Sequence, residues 1–398
     1  MTNKQTVKFG DICREVKLTT KDPISDGYER YIGLEHLDSS SLKIKRWGII
    51  AKDNPSFTRV FKKGHILFGK RRPYLKKAAI AEFDGICSGD IIVIEPKPNT
   101  IVSPELIHHI VQSEPMWNWA VLNSSGSLSP RTKFSALSKL EISVPLYPQD
   151  GCLSVLWAAE KALRESENTL TQLMQAKTRT AYSLMLKGNC YKQLFGKASA
   201  DVPGGWQLLS VGDVLTNTQY GLSDSLEASG RYPVLRMMNI TNGYVDPNDL
   251  KYIDWSPEDA EKYILNPGDI LFNRTNSMEW VGRTGIFELE DKYLFASYLI
   301  RLVVNEKNMT PYYLTQYLNI PMIQYRLKAF ATPGVSQANI NPGSLKSLPV
   351  LVPPLDQVRE IEKVLREFDA NIVIANEHNK KMINLVTSIK SKYFEKVM

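Results

Sequence analysis

The sequence repeats itself at long range, and this repetition limits the possible folds more than any other feature. Short phrases of the first half return in the same order in the second half. The pairs are FGDI (9–12) and VGDV (211–214), RYIGL (30–34) and RYPVL (231–235), GHILF (64–68) and GDILF (268–272), and L-x-x-L-x-[IV]-x-V-P at 137–145 and 345–353. Because the period is about 200 residues, we predict two copies of one domain rather than a stack of small repeats.

Each copy begins with a region that mixes strand and helix signals. Runs such as DIIVIE (90–95) and YLIRLVV (298–304) are bounded by Gly, Pro and Asn, which is typical of short strands between loops. In SPELIHHIVQ (103–112) and TPYYLTQYLN (310–319), a Ser or Thr precedes a Pro. That order predicts an N-cap followed by the first residue of a helix. We therefore predict a mixed α/β lobe in each copy.

A long heptad pattern follows each repeated V-P phrase. Its apolar positions alternate at spacings of four and three residues, which indicates a coiled-coil seam. The positions selected for helix packing and partner binding are Leu156, Leu163, Leu170 and Leu184 in the first segment, and Ile361, Phe368, Ile372, Met382 and Ile389 in the second. No Pro or Gly occurs at 152–187 or 355–398, so each segment is predicted to form one long helix, and the two are expected to pack antiparallel.

Three positions of the predicted seam are polar: Ser166, Lys177 and Asn379. Buried polar residues in a seam can fix the register of the helices. The alternative is that these side chains face solvent where the helix contact frays, and the sequence leaves both possibilities open.

The predicted fold class is therefore α+β, with two tandem mixed α/β domains separated by two long antiparallel helices. The predicted boundaries are a first lobe at 1–150, a first helix at 151–190, a linker at 191–206, a second lobe at 207–354 and a second helix at 355–398.

Composition favours a polyanionic partner. The chain has 49 Lys and Arg residues against 42 Asp and Glu residues, a net charge of +7 and a pI of about 9.0, a balance that suits nucleic acid. No apolar run is long enough to span a membrane and the N-terminus lacks a signal-peptide core, so a cytoplasmic location is expected. The four cysteines lie far apart without a CxxC pair, which predicts free thiols and argues against a zinc site or a disulfide framework.

Motifs for catalysis are scarce. The sequence has no GxxxxGK[ST] loop, no GxGxxG fingerprint and no Asn-Pro-Pro-aromatic tetrapeptide, and its five histidines lack metal-ligand spacing. One alternative stays open. Asp84 followed by Glu95 and Lys97 resembles the acidic cluster of Mg²⁺-dependent nucleases, although the simpler interpretation places Glu95 and Lys97 at the exposed end of a strand.

Two polar loops in each copy carry side chains that suit DNA. GKRRPYLKK (69–77) and NRTNSMEWVGR (273–283) each follow a GxILF strand, while NSSGSLSPRTKF (123–134) and TPGVSQANIN (332–341) precede the V-P phrases. Arg and Asn can pair with base edges, and Lys mostly contacts phosphate. The predicted DNA-binding residues are Lys70, Arg71, Arg72, Tyr74, Lys76, Lys77, Ser129, Arg131 and Lys133 in the first copy, and Asn273, Arg274, Thr275, Asn276, Arg283, Ser336, Gln337, Asn339 and Asn341 in the second.

The strands before these loops match in the two copies, but the side chains of the loops differ. This pattern is typical of two domains that share one scaffold and recognise different DNA sequences. For residues 69–77, a solvated basic loop without a ligand is the alternative.

Several motifs together resemble the specificity subunit of type I restriction-modification systems: GHILFGKR, GDILFNRTN, the TPGVSQANIN loop and the junction LKSLPVLVPPLDQVREIEKVL. The resemblance covers essentially the whole chain, although the first copy departs from the pattern at its junction, LYPQDGCLSVL. It implies two target recognition domains that each read one half of a bipartite, asymmetric DNA site. The two helices would set the spacing, and each V-P phrase would mark the hinge between a lobe and its helix.

The resemblance also implies a non-catalytic subunit without a cofactor of its own. Two methyltransferase subunits would supply the S-adenosylmethionine site, and two restriction subunits would supply the ATP-driven and Mg²⁺-dependent steps. An alternative is a specificity subunit of a type IIB or other phage-defence methylation system.

Overall fold

The computed structural model describes residues 4–145, 149–186, 202–334 and 337–396. Contacts divide the chain into two compact units. Unit 1 comprises Met1–Asn168 and Glu377–Met398, and unit 2 comprises Thr169–Asn376. Each unit therefore contains one lobe and a segment of both long helices. The domain boundaries predicted from the sequence stay predictions.

The lobe of unit 1 is built from short strands in three sheets. The strands are β1 (Lys4–Lys8), β2 (Cys13–Glu15), β3 (Arg30–Ile32), β4 (Gly48–Ile49), β5 (Arg59–Phe61), β6 (Ile66–Gly69), β7 (Ala78–Ile80), β8 (Gly85–Cys87), β9 (Ile91–Pro96) and β10 (Glu141–Pro145). The short helices are α1 (Phe9–Ile12), α2 (Ile50–Asp53), α3 (Pro104–Val111), α4 (Glu114–Leu122) and α5 (Phe134–Leu137). The sheet orders are β2-β9-β6-β7, β4-β3-β8-β5 and β1-β10, to which a strand from the end of the chain adds.

The lobe of unit 2 uses the same kinds of element. Its strands are β11 (Gln207–Ser210), β12 (Leu215–Tyr220), β13 (Tyr232–Leu235), β14 (Ile240–Thr241), β15 (Tyr244–Val245), β16 (Lys251–Ile253), β17 (Ile270–Asn273), β18 (Thr275–Asn276), β19 (Thr284–Ile286), β20 (Leu294–Phe295), β21 (Leu299–Val304), β22 (Thr332–Pro333), β23 (Ala338–Asn339) and β24 (Pro349–Val352). After the long helix α6 (Asp150–Met185), its helices are α7 (Pro257–Glu261), α8 (Pro311–Leu318), α9 (Pro321–Ala329) and α10 (Pro342–Lys346).

The two lobes share their topology, which confirms the predicted duplication. The order β12-β21-β17-β19 in unit 2 matches β2-β9-β6-β7 in unit 1, and unit 2 extends this sheet with β15 and β14. The parallel pair β13–β20 matches the parallel pair β3–β8. The antiparallel pair β11–β24 likewise matches β1–β10.

The repeated phrases occupy equivalent places because each meets the same packing requirement. The GxILF phrases form β6 and β17, whose residues are all buried, as expected for central strands covered on both faces. Ser103 and Thr310 cap α3 and α8 as predicted, because each side-chain oxygen accepts a hydrogen bond, from the N–H of Leu106 and of Tyr313, at 3.2 Å.

The long helices are α6 and α11 (Leu355–Tyr393). Their antiparallel pairing is visible within each unit. In unit 1, Glu160 meets Lys390 at 3.0 Å and Ser166 meets His378 at 3.1 Å. In unit 2, the ammonium of Lys177 lies 2.5 Å from Asp369. All predicted seam positions in the described helices are buried or half-buried. Ser166 and Lys177 are therefore paired inside the seam rather than directed into solvent.

The repeated V-P phrases form strands as well as leading into helices. β10 and β24 pair antiparallel with the first strand of their own copy. α11 ends at Tyr393, earlier than the predicted end at 398, because fully buried Phe394 joins the core of unit 1. The following strand, β25 (Glu395–Lys396), then pairs with Ile142 and Ser143 of β10. The last described helical residue of α6 is Met185, and residues 187–201, which hold most of the predicted linker, lie outside the described residues.

The described cysteines are buried free thiols. Burial raises the pKa of Cys13 and of Cys87 to about 12, and that of Cys152 to about 11. Cys190 lies outside the described residues. Among the described helices, none has a stretch long and apolar enough to cross a membrane.

Candidate nucleic-acid interface

In unit 1, the two predicted loops lie side by side. We call the surface formed by residues 70–77 and 125–133 edge 1. The N–H of Arg72 donates to the carbonyl of Pro130 at 2.7 Å, and the N–H of Thr132 donates to the carbonyl of Lys70 at 3.0 Å. Edge 1 therefore begins where β6 leaves its sheet, and main-chain hydrogen bonds hold its two loops together.

Asp90 organises the arginines of edge 1. Arg131 donates from Nε to Asp90 Oδ1 at 2.8 Å, and Nη1 of Arg71 lies 3.6 Å from Oδ2. Arg71 also donates from Nη2 to the hydroxyl of Ser129 at 3.1 Å. The hydrogen bond from Arg131 outweighs burial and lowers the pKa of Asp90. Two guanidinium groups are thus fixed by one ionised carboxylate while Arg131 stays exposed.

The other predicted side chains of edge 1 are either bonded to neighbouring residues or exposed to solvent. Lys76 pairs with Glu114 at 2.5 Å, and Lys77 donates to the carbonyl of Leu34 at 2.8 Å. Arg72, Tyr74 and Lys133 are exposed. Arg72 and Lys76 both have left-handed backbone angles, with φ of 51° and 50°, on either side of the single turn Pro73–Leu75. Such conformations are costly for residues other than glycine, so the surrounding contacts hold this turn in a defined shape.

In unit 2, three chain segments meet at the corresponding end of the sheet. β12 ends at Tyr220, β17 ends at Asn273, and β21 begins just after Tyr298. The register pairs Tyr220 with Ile300 and Asn273 with Leu299, so these segments lie at one edge. We call the surface formed by Tyr220, Met238, Arg274, Tyr298 and Asn339 edge 2.

Arg274 lies at the centre of edge 2. Its guanidinium carbon is 4.9 Å from the centroid of the Tyr220 ring, and Nη2 donates to Asn339 Oδ1 at 3.2 Å. Its main-chain N–H donates to the carbonyl of Tyr298 at 3.0 Å, and its carbonyl accepts from Ile340 at 2.9 Å. The aromatic ring of Tyr220 and the side-chain amide of Asn339 therefore orient this arginine.

The two edges share a backbone framework but differ in side chains. Lys70 bonds to the carbonyl of Asp90 and to the N–H of Thr132, as Arg274 bonds to Tyr298 and Ile340. By this equivalence, Asp90 corresponds to Tyr298, and Arg131 corresponds to Asn339. Edge 1 thus presents arginines anchored by a carboxylate, whereas edge 2 presents an arginine on a tyrosine beside an amide.

The other residues predicted for unit 2 have varied surroundings. Thr275 and Asn276 form β18, which pairs with Asn339 and Ala338, so the second loop is brought beside the first. Gln337 is exposed, and Ser336 lies outside the described residues. Asn341 caps α10 by accepting from the N–H of Ser344 at 2.8 Å.

Two predicted residues of unit 2 are placed less directly for DNA contact. Asn273 is fully buried and donates to the carbonyl of Met237 at 3.1 Å, so its side chain is not accessible to a base in this structure. Arg283 stacks over Trp280 and lines a different cleft of unit 2, where burial lowers its pKa.

Four residues at or beside the two edges were not predicted from the sequence: Asp90, Tyr220, Met238 and Tyr298. A usable signal existed for two of them, because Asp90 is the first residue of DIIVIE and Tyr298 is the first of YLIRLVV. Aligning the two strands would have placed both residues beside the loops. Tyr220 and Met238 come from other parts of the chain, and only the fold brings them to the edge.

The alternative nuclease residues do not form a metal-binding cluster. Asp84 accepts from the side chain of Lys62 and the N–H of Lys63, and these bonds lower its pKa. Glu95 pairs with Arg14 at 2.7 Å, and Lys97 donates to the carbonyl of Gly10 at 2.6 Å. In the described parts of the chain, no group of three His, Cys, Asp or Glu residues is arranged to hold a metal ion.

The long helices carry a second candidate surface. The predicted packing residues face inward: Leu156 and Ile389 join the core of unit 1, while Leu184 and Ile361 join that of unit 2. Other apolar residues of the helices are exposed, namely Val155, Trp157, Met174, Val364, Val373, Ile374, Ile383 and Leu385. In unit 2, a cleft of about 830 Å³ adjoins Met174 and Val373 and includes Lys177, Asp369 and Gln316.

Part of the sequence is similar to that of known proteins. Residues 203–384 match the family model "Type I restriction modification DNA specificity domain". The provisionally named type I restriction enzyme MjaX specificity subunit of Methanocaldococcus jannaschii is 31% identical over 200 residues, which are 49% of this chain and 47% of that protein. The type I restriction enzyme EcoKI specificity subunit of Escherichia coli is 29% identical over 194 residues, which are 47% of this chain and 42% of that protein. The matched segments thus span about half or less of these relatives.

Solved structures match over nearly the full chain, at identities that inform on the fold alone. One, from work on complex assembly and conformational transition of the type I R-M system, is 20% identical with a TM-score of 0.56 and covers 98% of this chain and 97% of that one. The type I restriction-modification S subunit from M. genitalium is 13% identical with a TM-score of 0.52 and covers 100% of this chain and 97% of that one. The chain is therefore similar to type I restriction-modification specificity subunits over about half of its length, and its residues 203–384 match the type I restriction modification DNA specificity domain.

Proposed function

We propose that this chain is the DNA-reading subunit of a type I restriction-modification complex. The observation that carries the proposal is the correspondence between edge 1 and edge 2. Equivalent main-chain hydrogen bonds form within each edge, but the exposed side chains differ. A duplicated scaffold with two different polar surfaces suits a bipartite, asymmetric DNA target. Arg131 and Arg274 are proposed to read base edges, because arginine is the side chain that most often does so, while exposed Lys133 suits a phosphate contact.

We infer that the chain has no catalytic activity of its own. Partners would supply the chemistry: two methyltransferase subunits with S-adenosylmethionine, and two restriction subunits with ATP and Mg²⁺. The exposed apolar residues of α6 and α11 are the proposed docking surface for the methyltransferase subunits, because solvent-facing Trp157, Val373 and Ile374 leave apolar area uncovered. A cytoplasmic location belongs to the same proposal.

Two alternatives differ in kind from this proposal. A specificity subunit of a type IIB or other defence system would use the same two edges with different partners, and the neighbouring genes would distinguish it. A free-standing nuclease would need Asp84, Glu95 and Lys97 to act together, and the separate cationic and main-chain partners of these residues disfavour that function.

The test is single-molecule methylome sequencing of DNA from cells that express the chain with its neighbouring methyltransferase gene. We expect a split motif of two short defined blocks around a fixed gap, with one methyladenine on each strand. Replacing residues 207–350 with those of another specificity subunit should change only one block. A continuous or palindromic motif, or a change in both blocks, would contradict the two-reader proposal, and absence of methylation would contradict the assigned partner.

A further inference from the structure

Edge 2 continues into a mainly apolar cleft. The residues that line this cleft were not among the predicted DNA-binding residues. The cleft has a volume of about 460 Å³ and is lined by residues 222–226, 236–238 and 296–298. Two of the apolar side chains that line the cleft are exposed to solvent: Met238 is 53% exposed and Tyr298 is 44% exposed. Tyr220, which is 47% exposed, lies beneath Arg274 at the same edge.

The cleft and the arginine of edge 2 form one surface. Tyr298 lines the cleft and also accepts the main-chain hydrogen bond of Arg274. Asn273, the residue before Arg274, bonds to the carbonyl of Met237 in the opposite wall. Arg236 contributes a second guanidinium, which donates from Nη2 to the carbonyl and the carboxylate of Asp249. Asp224 and three serines also line the cleft, so its exposed apolar area lies mainly at Met238 and Tyr298.

We propose that Met238 and Tyr298 contact thymine C5-methyl groups in the major groove, so that unit 2 reads a half-site containing A·T pairs. This inference rests on the proposed DNA-reading function. Thymine is the only base of the major groove that presents a methyl group, and apolar side chains recognise it. Asn339 beside Arg274 adds an amide, the group that pairs with adenine. In unit 1, the position of Tyr298 is taken by Asp90 with its two arginines, a surface suited to guanine instead.

The experiment uses the full chain and a library of random duplexes to select the bound sequence. Arg274→Ala first identifies the half-site read by unit 2, because only that half should lose definition. The selected duplex is then compared with the same duplex in which deoxyuridine replaces thymidine in that half, which removes only the methyl groups. The variant Met238→Ala/Tyr298→Ala is the test protein. Tyr325→Ala, which removes a 75% exposed tyrosine from α9, is the matched control.

We expect deoxyuridine to weaken binding of the wild type and of the Tyr325→Ala control about fourfold for each methyl contacted. The double variant should bind both duplexes with the same reduced affinity. If the half-site contains no thymine, or if the double variant still responds to deoxyuridine as the wild type does, the methyl contact is overturned while the DNA-reading function stands. If no bipartite sequence is selected, the proposed function fails and the inference fails with it.

Discussion

The two units attach their lobes to the long helices with different polar chemistry at corresponding places. In unit 1, buried His109 of α3 has Nδ1 3.2 Å from a carboxylate oxygen of Glu160, which also meets Lys390 at 3.0 Å. In unit 2, the residue at the same position of α8 is Gln316, which instead lines the larger cleft. The residue of α8 that bonds to a long helix is instead Tyr312, one turn before Gln316.

Asp369 is the centre of the contact in unit 2. It pairs with Lys177 of α6 at 2.5 Å and accepts hydrogen bonds from the hydroxyls of Tyr244 at 2.8 Å and Tyr312 at 2.5 Å. Burial, together with the nearby carboxylate, raises the pKa of both tyrosines, so they stay neutral donors. Burial lowers the pKa of Lys177 against the opposing effect of Asp369. The two units therefore share their backbone topology but join their lobes to the helices through different polar contacts.

The largest expected effect comes from removing the carboxylate of Asp369. Asp369→Ala leaves the half-buried ammonium of Lys177 without its counter-charge and the hydroxyls of Tyr244 and Tyr312 without their acceptor. We expect the free energy of unfolding to fall by about 3–5 kcal/mol. Denaturant unfolding of the full chain measures this, with Glu377→Ala as the control because Glu377 is exposed on the same helix. Equal losses in the two variants would show that the network in unit 2 does not stabilise the fold.

The corresponding test in unit 1 uses pH. Burial alone would raise the pKa of Glu160, but His109 and Lys390 outweigh it and lower that pKa to about 2. A carboxylate with a depressed folded-state pKa stabilises the fold above its unfolded pKa, and this stabilisation is lost as pH falls from about 4.5 towards 2. We expect Glu160 alone to account for on the order of 3 kcal/mol of the stability that the wild type loses in that range.

Glu160→Gln should lack this acid-dependent loss, because its amide does not titrate. Unfolding curves recorded across the acid range for the two proteins provide the comparison. Parallel pH profiles would contradict the role given to Glu160 and would make the two units more alike than their contacts suggest.

A smaller effect is expected when Asp90, which anchors the arginines of edge 1, is changed. Asp90→Asn removes the charge that anchors Arg71 and Arg131, so base discrimination in one half-site should fall by about 1–3 kcal/mol. Selection from random duplexes, compared with binding to unrelated DNA, measures the loss. Asp84→Asn is a suitable control, because Asp84 belongs to unit 1 but is bonded to Lys62 and Lys63. Loss of definition in both half-sites would contradict the separate reading by the two edges.

The smallest expected effect concerns a single phosphate contact. Lys133→Ala should make the salt dependence of DNA binding shallower by about 0.9 in the slope of log K against log salt. Binding titrations at several salt concentrations measure the slope. Lys307→Ala, which removes an exposed lysine from unit 2 outside both edges, should leave it unchanged. Equal slopes for Lys133→Ala and the wild type would remove Lys133 from the interface.

Periodic and local signals allowed much of this fold to be predicted. The seam from Ile361 to Ile389 was predictable because packed helices need apolar residues at alternating spacings of four and three. The caps at Ser103 and Thr310 were predictable because each depends on one local hydrogen bond. The early end of α11 could not be predicted in this way, because burial of Phe394 depends on a distant sheet.

The candidate site was harder to predict than the fold because it depends on where strands end in space. Polar composition pointed to Arg131 and Arg274, but it could not reveal that Asp90 anchors one and Tyr220 underlies the other. Composition also gave no sign that Asn273, in a polar loop sequence, is fully buried. DNA contact by these residues stays a prediction.

The pairing of β25 with β10 has a consequence for synthesis of the protein. Unit 2 is one continuous segment, Thr169–Asn376, whereas the sheet of unit 1 requires residues at both 142–143 and 395–396. Unit 2 can therefore form from one continuous stretch of chain, whereas the sheet of unit 1 is complete only once residues 395–396 have been made. The N-terminal part of a chain usually finishes folding first, but the lobe of unit 1 cannot do so before nearly the whole chain has been synthesised.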